Sequence, residues 1–216
     1  MVEITIYVEG VMSTNPSVLT IDNSVLFRES FHKLFSQKLH PENFDLRIVP
    51  FGTVTQARRK LDHLKKKGIN GVLLIDLDAP KEQKNARIEN YSGYNTEIIF
   101  FMIHEMEAWI LSQTDKIEVF GKNEDLTRKK CDEDISNNPL LKGKHPEAIV
   151  KPSSKLDTIF RQYFVVSRKR NGKERKTGKR YSKTKDAPKL IGLLELEPLT
   201  QTFDEANRMI DYIKMQ

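Results

Sequence analysis

The sequence predicts an α/β protein built on a mostly parallel sheet, and three observations carry that expectation. Residues 3–8, 44–51, 71–76 and 97–103 are short runs rich in β-branched and aromatic side chains. Stretches with apolar residues at three-and-four spacing separate the first three runs. Finally, Gly71-Val-Leu-Leu-Ile-Asp76 is apolar throughout its interior, the pattern of a strand buried on both faces. Strand and helix alternating in this way, with right-handed crossovers, stack helices on a parallel sheet.

Each element follows from local chemistry. The first strand ends at Glu9-Gly10, and the Ser/Thr/Asn/Pro-rich segment from Met12 to Asn23 reads as a loop. Asn23 or Ser24 caps a helix to about Leu39, with Leu26, Phe27, Phe31, Leu34 and Phe35 on one face. A strand over 44–51 leads to a basic helix from Thr53 to Lys67 that stops at Gly68. After the strand 71–76, a polar loop or short helix runs to Tyr94. Residues 97–103 then form a strand, and His104 to Gln113 a helix carrying Met106, Trp109 and Ile110 inward. Residues 1–113 are thus expected as an α/β catalytic core. Residues 114–216 are expected as a mainly helical C-terminal extension, with helices near 154–164, 187–194 and 203–215.

Composition narrows the function. The chain has 216 residues, enough for one domain, or one domain with an appendage, with a real core. Its hydrophobic fraction of 38 % is near the low end for globular proteins, yet apolar runs recur throughout, which excludes wholesale disorder. The single cysteine, Cys131, excludes an internal disulfide framework and any CxxC-type metal site. The longest purely apolar stretch, Ile98 to Ile103, is far short of the roughly 20 residues a membrane-spanning helix needs. With no basic-then-apolar leader at the N-terminus, the sequence reads as that of a cytoplasmic protein with no membrane partner.

The net charge of +6 is concentrated. Residues 167–185, SRKRNGKERKTGKRYSKTK, hold ten Lys or Arg and one acid, leaving the rest of the chain at −3. Gly172 and Gly178 mark this segment as a loop or hairpin tip. Arg168, Lys169, Arg170, Lys179, Arg180, Lys183 and Lys185 are the candidate contacts to nucleic-acid phosphates, a salt-sensitive mode of binding. Arg58-Arg59-Lys60 and Lys65-Lys66-Lys67 form a second, smaller basic cluster.

Functional residues of open α/β sheets sit beyond the carboxyl ends of the strands. Glu9 closes the first predicted strand, and Asp76 and Asp78 close the third. Carboxylates converging there repel one another unless a cation joins them. Mg²⁺ or Mn²⁺ is the expected cofactor, bound by a few carboxylates, waters and substrate phosphates. Beside a cationic segment, that combination points to metal-assisted phosphodiester chemistry.

Glu-Gly after a first strand and Asp-x-Asp after a later apolar strand resembles the Toprim fold of topoisomerases, primases and overcoming-lysogenization-defect nucleases. The resemblance implies that Glu9, Asp76 and Asp78 hold catalytic Mg²⁺. Over nearly the whole chain, Tyr7-Val-Glu-Gly10, Phe27-Arg-Glu-Ser-Phe31, Phe51-Gly52 with Ala57, Met106-Glu-Ala-Trp109, Lys151-Pro-Ser-Ser154 and Tyr181-Ser-Lys183 are similar to Toprim-like proteins of domain of unknown function 4276. Those proteins often neighbour ATPase genes in bacterial defence loci. The resemblance therefore implies an antiphage nuclease partnered by an ATPase, with self-association as a homo-oligomer left open.

Glu107, within the matched motif, is a further candidate catalytic residue, as is Lys183 for the scissile phosphate. If a helix starts at His104, Glu105 and Glu107 point about 200° apart and at most one of them, with Glu107 favoured, faces the crevice. His104 reads either as a general base or as a structural histidine, and Trp109 as core. The alternative function is a catalytically degenerate module that binds nucleic acid or the ATPase. No GxxxxGK[ST], HExxH or GxSxG sequence occurs, which weakens ATPase, protease and esterase readings.

Overall fold

The computed structural model describes residues 1–10, 18–52, 54–129, 131–170 and 173–216. Side chains are described for these except at 18–23, 54, 168–170 and 173–175. Strands β1 (Val2–Glu9), β2 (Phe44–Phe51), β3 (Gly71–Asp76) and β4 (Ile99–Met102) form one parallel sheet in the order β2-β1-β3-β4. Thr5 lies beside both Arg47 and Gly71, and Leu73 beside Ile99, so the register is continuous across the sheet. A Cβ on Gly71 would meet the Thr5 carbonyl oxygen at 2.5 Å, so glycine is what lets β3 begin against β1.

Period-two alternation sorts the sheet's side chains onto two faces. Ile4, Ile6, Val8, Val72, Leu74, Phe100 and Met102 share one core with helix α1 (Val18–Phe35), through Phe27, Phe31, Leu34 and Phe35. Tyr7, Leu73, Ile75, Phe101 and Ile103 share the other with helix α2 (Val54–Lys67), through Ala57, Leu61 and Leu64. Helix α1 lies on the crossover between the neighbouring strands β1 and β2, and α2 on the crossover that passes β1 to reach β3.

Helix α1 begins at Val18, five residues before the predicted cap, because no glycine or proline interrupts residues 18–35. Thr53, the predicted start of α2, lies outside the described residues. The polar segment after β3 contains a short helix, α3 (Lys84–Glu89). The predicted strand 97–103 is shorter, since Thr96–Ile98 forms a 3₁₀ turn capped by the Asn95 side chain. The helix expected from His104 is also shorter, α4 (Glu107–Leu111), because His104 turns the chain with φ 59°.

The C-terminal residues build helices α5 (Thr114–Asn123), α6 (Pro152–Tyr163), α7 (Asp186–Ile191), α8 (Leu196–Thr202) and α9 (Asp204–Lys214). Their apolar faces, including Phe120, Phe160, Leu190, Leu199 and Ile210, join the α1 side of the sheet in one continuous core. Trp109 is buried there, 6.1 Å from the Phe203 ring. Helix α9 also covers the edge of β4. Arg208 Nη2 donates to Ile99 O at 2.8 Å, and Glu205 Oε2 accepts from Phe101 N at 3.2 Å, closing ladder positions open to another strand.

The basic segment is an antiparallel hairpin. Strand β5 (Thr127–Arg128) pairs with β6 (Phe164–Arg170), and β6 with β7 (Lys173–Gly178). Pairing of β6 with β7 gives this segment its order, a feature that residue composition alone does not separate from a loop. Among the described residues no helix is long and apolar enough to cross a membrane.

Candidate functional site

Three parallel strands deliver carboxylates to one end of the sheet. Glu9 ends β1, Asp76 ends β3, and Glu107 opens α4 just beyond β4. All three line one cleft of about 170 Å³, with Lys183, Phe27, Met106 and Pro188 among its walls. Gly10 continues the β1 ladder by donating to Phe51 O at 2.8 Å. A Cβ there would lie 2.5 Å from the Phe27 ring, so glycine admits the ring against the cleft floor.

The acids are interlocked through the backbone. Glu9 Oε2 accepts the Asp76 N–H at 3.1 Å, and Asp76 Oδ1 accepts the Met106 N–H at 2.9 Å. Glu107 is 1 % exposed; its Oε1 accepts from the Tyr181 hydroxyl at 2.9 Å. Its Oε2 has no hydrogen-bond partner and lies 3.5 Å from Lys183 Nζ. Lys183 also lies 3.4 Å from Glu105 Oε1, whose other oxygen accepts from Ser153 N at 2.8 Å, at the start of α6.

Electrostatics follow from this crowding. Burial raises the Asp76 carboxyl well above its ordinary value, and the charges of Glu107 and Glu9 push it further. Burial likewise raises Glu9, against the relief of the Asp76 N–H, and raises Glu107, against the pull of Lys183. Burial alone would lower the Lys183 ammonium, but Glu107, Glu105 and Asp76 outweigh it and the pKa rises. For Glu105 the balance is reversed: burial is overcome by the Ser153 hydrogen bonds and by Lys183, and its carboxyl lies below the ordinary value.

The other candidates fall elsewhere. Asp78 follows Asp76 but turns away with φ 54°, is 60 % exposed on its side chain, and lies 3.3 Å from Arg87 Nη2. Its backbone N–H donates to His104 O at 2.8 Å, tying the two left-handed residues beyond β3 and β4 together. His104 is buried and does not line the cleft. Of the two helix-start acids, Glu107 lines the cleft and Glu105 does not, as expected, although both reach Lys183 because Glu105 precedes the helix.

Within the basic segment, Lys179 Nζ is engaged by the buried Asp186, while Arg180 and Lys185 are exposed. The side chains of Arg168, Lys169 and Arg170 lie outside the described residues. Sequence reasoning missed the role of Tyr181. Its partner Glu107 is 74 positions away, and no local pattern announces such a pair.

The donor set suits a hard divalent cation. Glu9, Asp76 and Glu107 face one cleft, and the buried, unpartnered Glu107 Oε2 is the oxygen a cation would satisfy. Among the described residues no three ligating side chains are already gathered into a metal cage, and Lys183 supplies the positive charge beside Glu107.

A family model described as Domain of unknown function (DUF4276) matches residues 23–214, a range that begins after Glu9. No curated protein and no solved structure matches the chain. With the match spanning nearly the whole of the sequence, the chain belongs to the DUF4276 family.

Proposed function

We propose that the protein is a Mg²⁺- or Mn²⁺-dependent nuclease of Toprim type, acting in the cytoplasm as the effector of an ATPase-partnered antiphage system. The observation that carries the reading is the convergence of Glu9, Asp76, Glu107 and Lys183 on one cleft at the carboxyl ends of parallel strands. Glu9, Asp76 and Glu107 would hold the cation, with Asp78 joining if it leaves Arg87. When bound, the metal supplies Lewis acidity at the scissile phosphate and an activated water. Lys183, two residues from the Tyr181 anchor, reaches the mouth of the cleft and contacts a non-bridging phosphate oxygen. Arg180 and Lys185 extend the cationic surface along the backbone of the nucleic acid.

The alternative is a module that binds nucleic acid or the ATPase without chemistry. It is favoured by one observation, the placement of Asp78 outside the cleft and against Arg87. Wild type and Asp76→Ala, assayed on DNA and on RNA with Mg²⁺, Mn²⁺ or EDTA, and with and without the ATPase, separate the two. Metal-dependent cleavage lost in Asp76→Ala supports the nuclease. Salt-sensitive binding with no cleavage under any condition supports the module.

A further inference from the structure

The two acids of the Asp-x-Asp sequence face different hollows. Asp76 lines the cleft, whose apolar walls Phe27 and Met106 belong to the α1 side of the sheet. Asp78 lines a second hollow of about 280 Å³ with Gln83, Arg87 and Asn90, and its neighbours Leu77 and Ala79 belong to the α2 side. The linings of the two hollows therefore meet at consecutive residues, Asp76 and Leu77, at the sheet's carboxyl edge.

Arg87 is the cation of this second hollow. Its Nη2 is 3.3 Å from Asp78 Oδ2, long for a charge-assisted hydrogen bond, and Asp78 is mostly exposed. Exposed pairs of this kind are weak, so a phosphate can replace the carboxylate on the guanidinium at little cost. A second guanidinium, exposed, stands nearby: Arg58 donates to Asn90 O from Nε at 3.2 Å and from Nη2 at 2.7 Å. Arg87 of this hollow and Lys183 of the cleft both draw the Glu9 carboxyl down against burial, so the cations of the two hollows act on the same acid.

Resting on the nuclease reading of the cleft, we propose that this second hollow is the subsite for the nucleotide adjoining the scissile phosphate, with Arg87 as its phosphate contact. A nucleic-acid backbone running from the hollow into the cleft meets a cation before and after the carboxylates. The site then holds an internal phosphodiester, and the reaction is endonucleolytic.

The test is fluorescence anisotropy of the full chain in EDTA, with end-labelled single-stranded DNA and RNA of about 12 nucleotides, within the usual site size. Arg87→Ala is expected to weaken binding about five- to tenfold and to reduce the slope of log K against log salt by about one. Arg87→Lys, which keeps the charge and loses the fork, is expected to fall between. Lys66→Ala, removing a charge from the far end of α2, is expected to bind as the wild type does. Circular dichroism of each variant establishes that it is folded. Wild-type binding by Arg87→Ala alongside weakened binding by Lys183→Ala overturns the subsite and leaves the nuclease reading standing. Equal losses in Lys66→Ala and Arg87→Ala also overturn it, as a general charge effect. A wild type that binds neither oligonucleotide overturns both readings.

Discussion

The Tyr181 hydroxyl donates to Glu107 Oε1 at 2.9 Å, while Lys183, two residues later, lies 3.5 Å from Glu107 Oε2. One short segment therefore flanks both oxygens of a carboxylate that is 1 % exposed, one through a hydrogen bond and the other through charge alone. Tyr181 is itself pinned, its N–H donating to Asp157 Oδ1 at 3.0 Å and its ring set edge-on to Phe160. Burial and the charge of Glu107 raise its phenol well above the ordinary value, so it remains a donor at neutral and moderately alkaline pH.

Tyr181→Phe removes that donor and keeps the ring. The variant should be less stable by about 1–3 kcal/mol at neutral pH, the cost of leaving a buried acceptor unmade. Burial already raises the Glu107 carboxyl, and losing the hydrogen bond raises it further. The deficit should shrink as pH falls through the folded value and Glu107 takes up its proton. Urea denaturation of both proteins across that range measures it, and a pH-independent deficit would contradict the account.

Asp76→Asn should stabilise the fold at neutral pH, by about 1 kcal/mol, and abolish any metal-dependent cleavage. Asparagine keeps an oxygen for the Met106 N–H and removes a charge held against burial, Glu107 and Glu9. The sign follows from linkage. A carboxyl raised in the folded state costs stability above its folded pKa, and that cost vanishes as pH falls toward the unfolded value of 3.8. The variant's advantage should therefore be greatest at neutral pH and fade on acidification, as read by thermal melts over pH.

Divalent cations should oppose the same repulsion. At a concentration 100-fold above the dissociation constant, Mg²⁺ or Mn²⁺ should add about 2.7 kcal/mol to wild-type stability. For a chain of this size that raises Tm by roughly 5–10 °C. EDTA should reverse the shift and Asp76→Asn should largely lose it. Equal shifts in wild type and variant would place the cation elsewhere.

Gly71→Ala tests the sheet rather than the site. The new methyl would stand 2.5 Å from the Thr5 carbonyl oxygen and 2.7 Å from Leu64. The leucine can turn aside, but the β1 backbone cannot, so a loss of about 1–3 kcal/mol is expected. Chemical denaturation reads the change directly.

The strands were readable because their chemistry is local. Residues 44–51 and 71–76 are strands β2 and β3 with the predicted bounds, since an apolar run between turn residues has few other uses. The meeting of Glu9 and Asp76 was also readable, because carboxyl ends of neighbouring parallel strands share one edge. Helix α1, by contrast, starts earlier than its best cap residue, because no glycine or proline in residues 18–22 stops a helix there and a capping preference is weak. The basic segment resisted reading for a related reason. Lysine, arginine and glycine have little intrinsic strand preference, and pairing across β6 and β7 supplies the order instead.

The sequence by itself determined the α/β alternation, the carboxyl-edge position of Glu9 and Asp76, and the concentration of positive charge between 167 and 185. Only tertiary structure decided what each charge faces. It turned Asp78 toward Arg87, engaged Lys179 with the buried Asp186, and brought Tyr181 and Lys183 to Glu107 from 74 and 76 positions away. Hydrophobic periodicity is written residue by residue along the chain. Which two charges meet in a cleft is set by how whole elements pack, and sequence spacing carries no record of that.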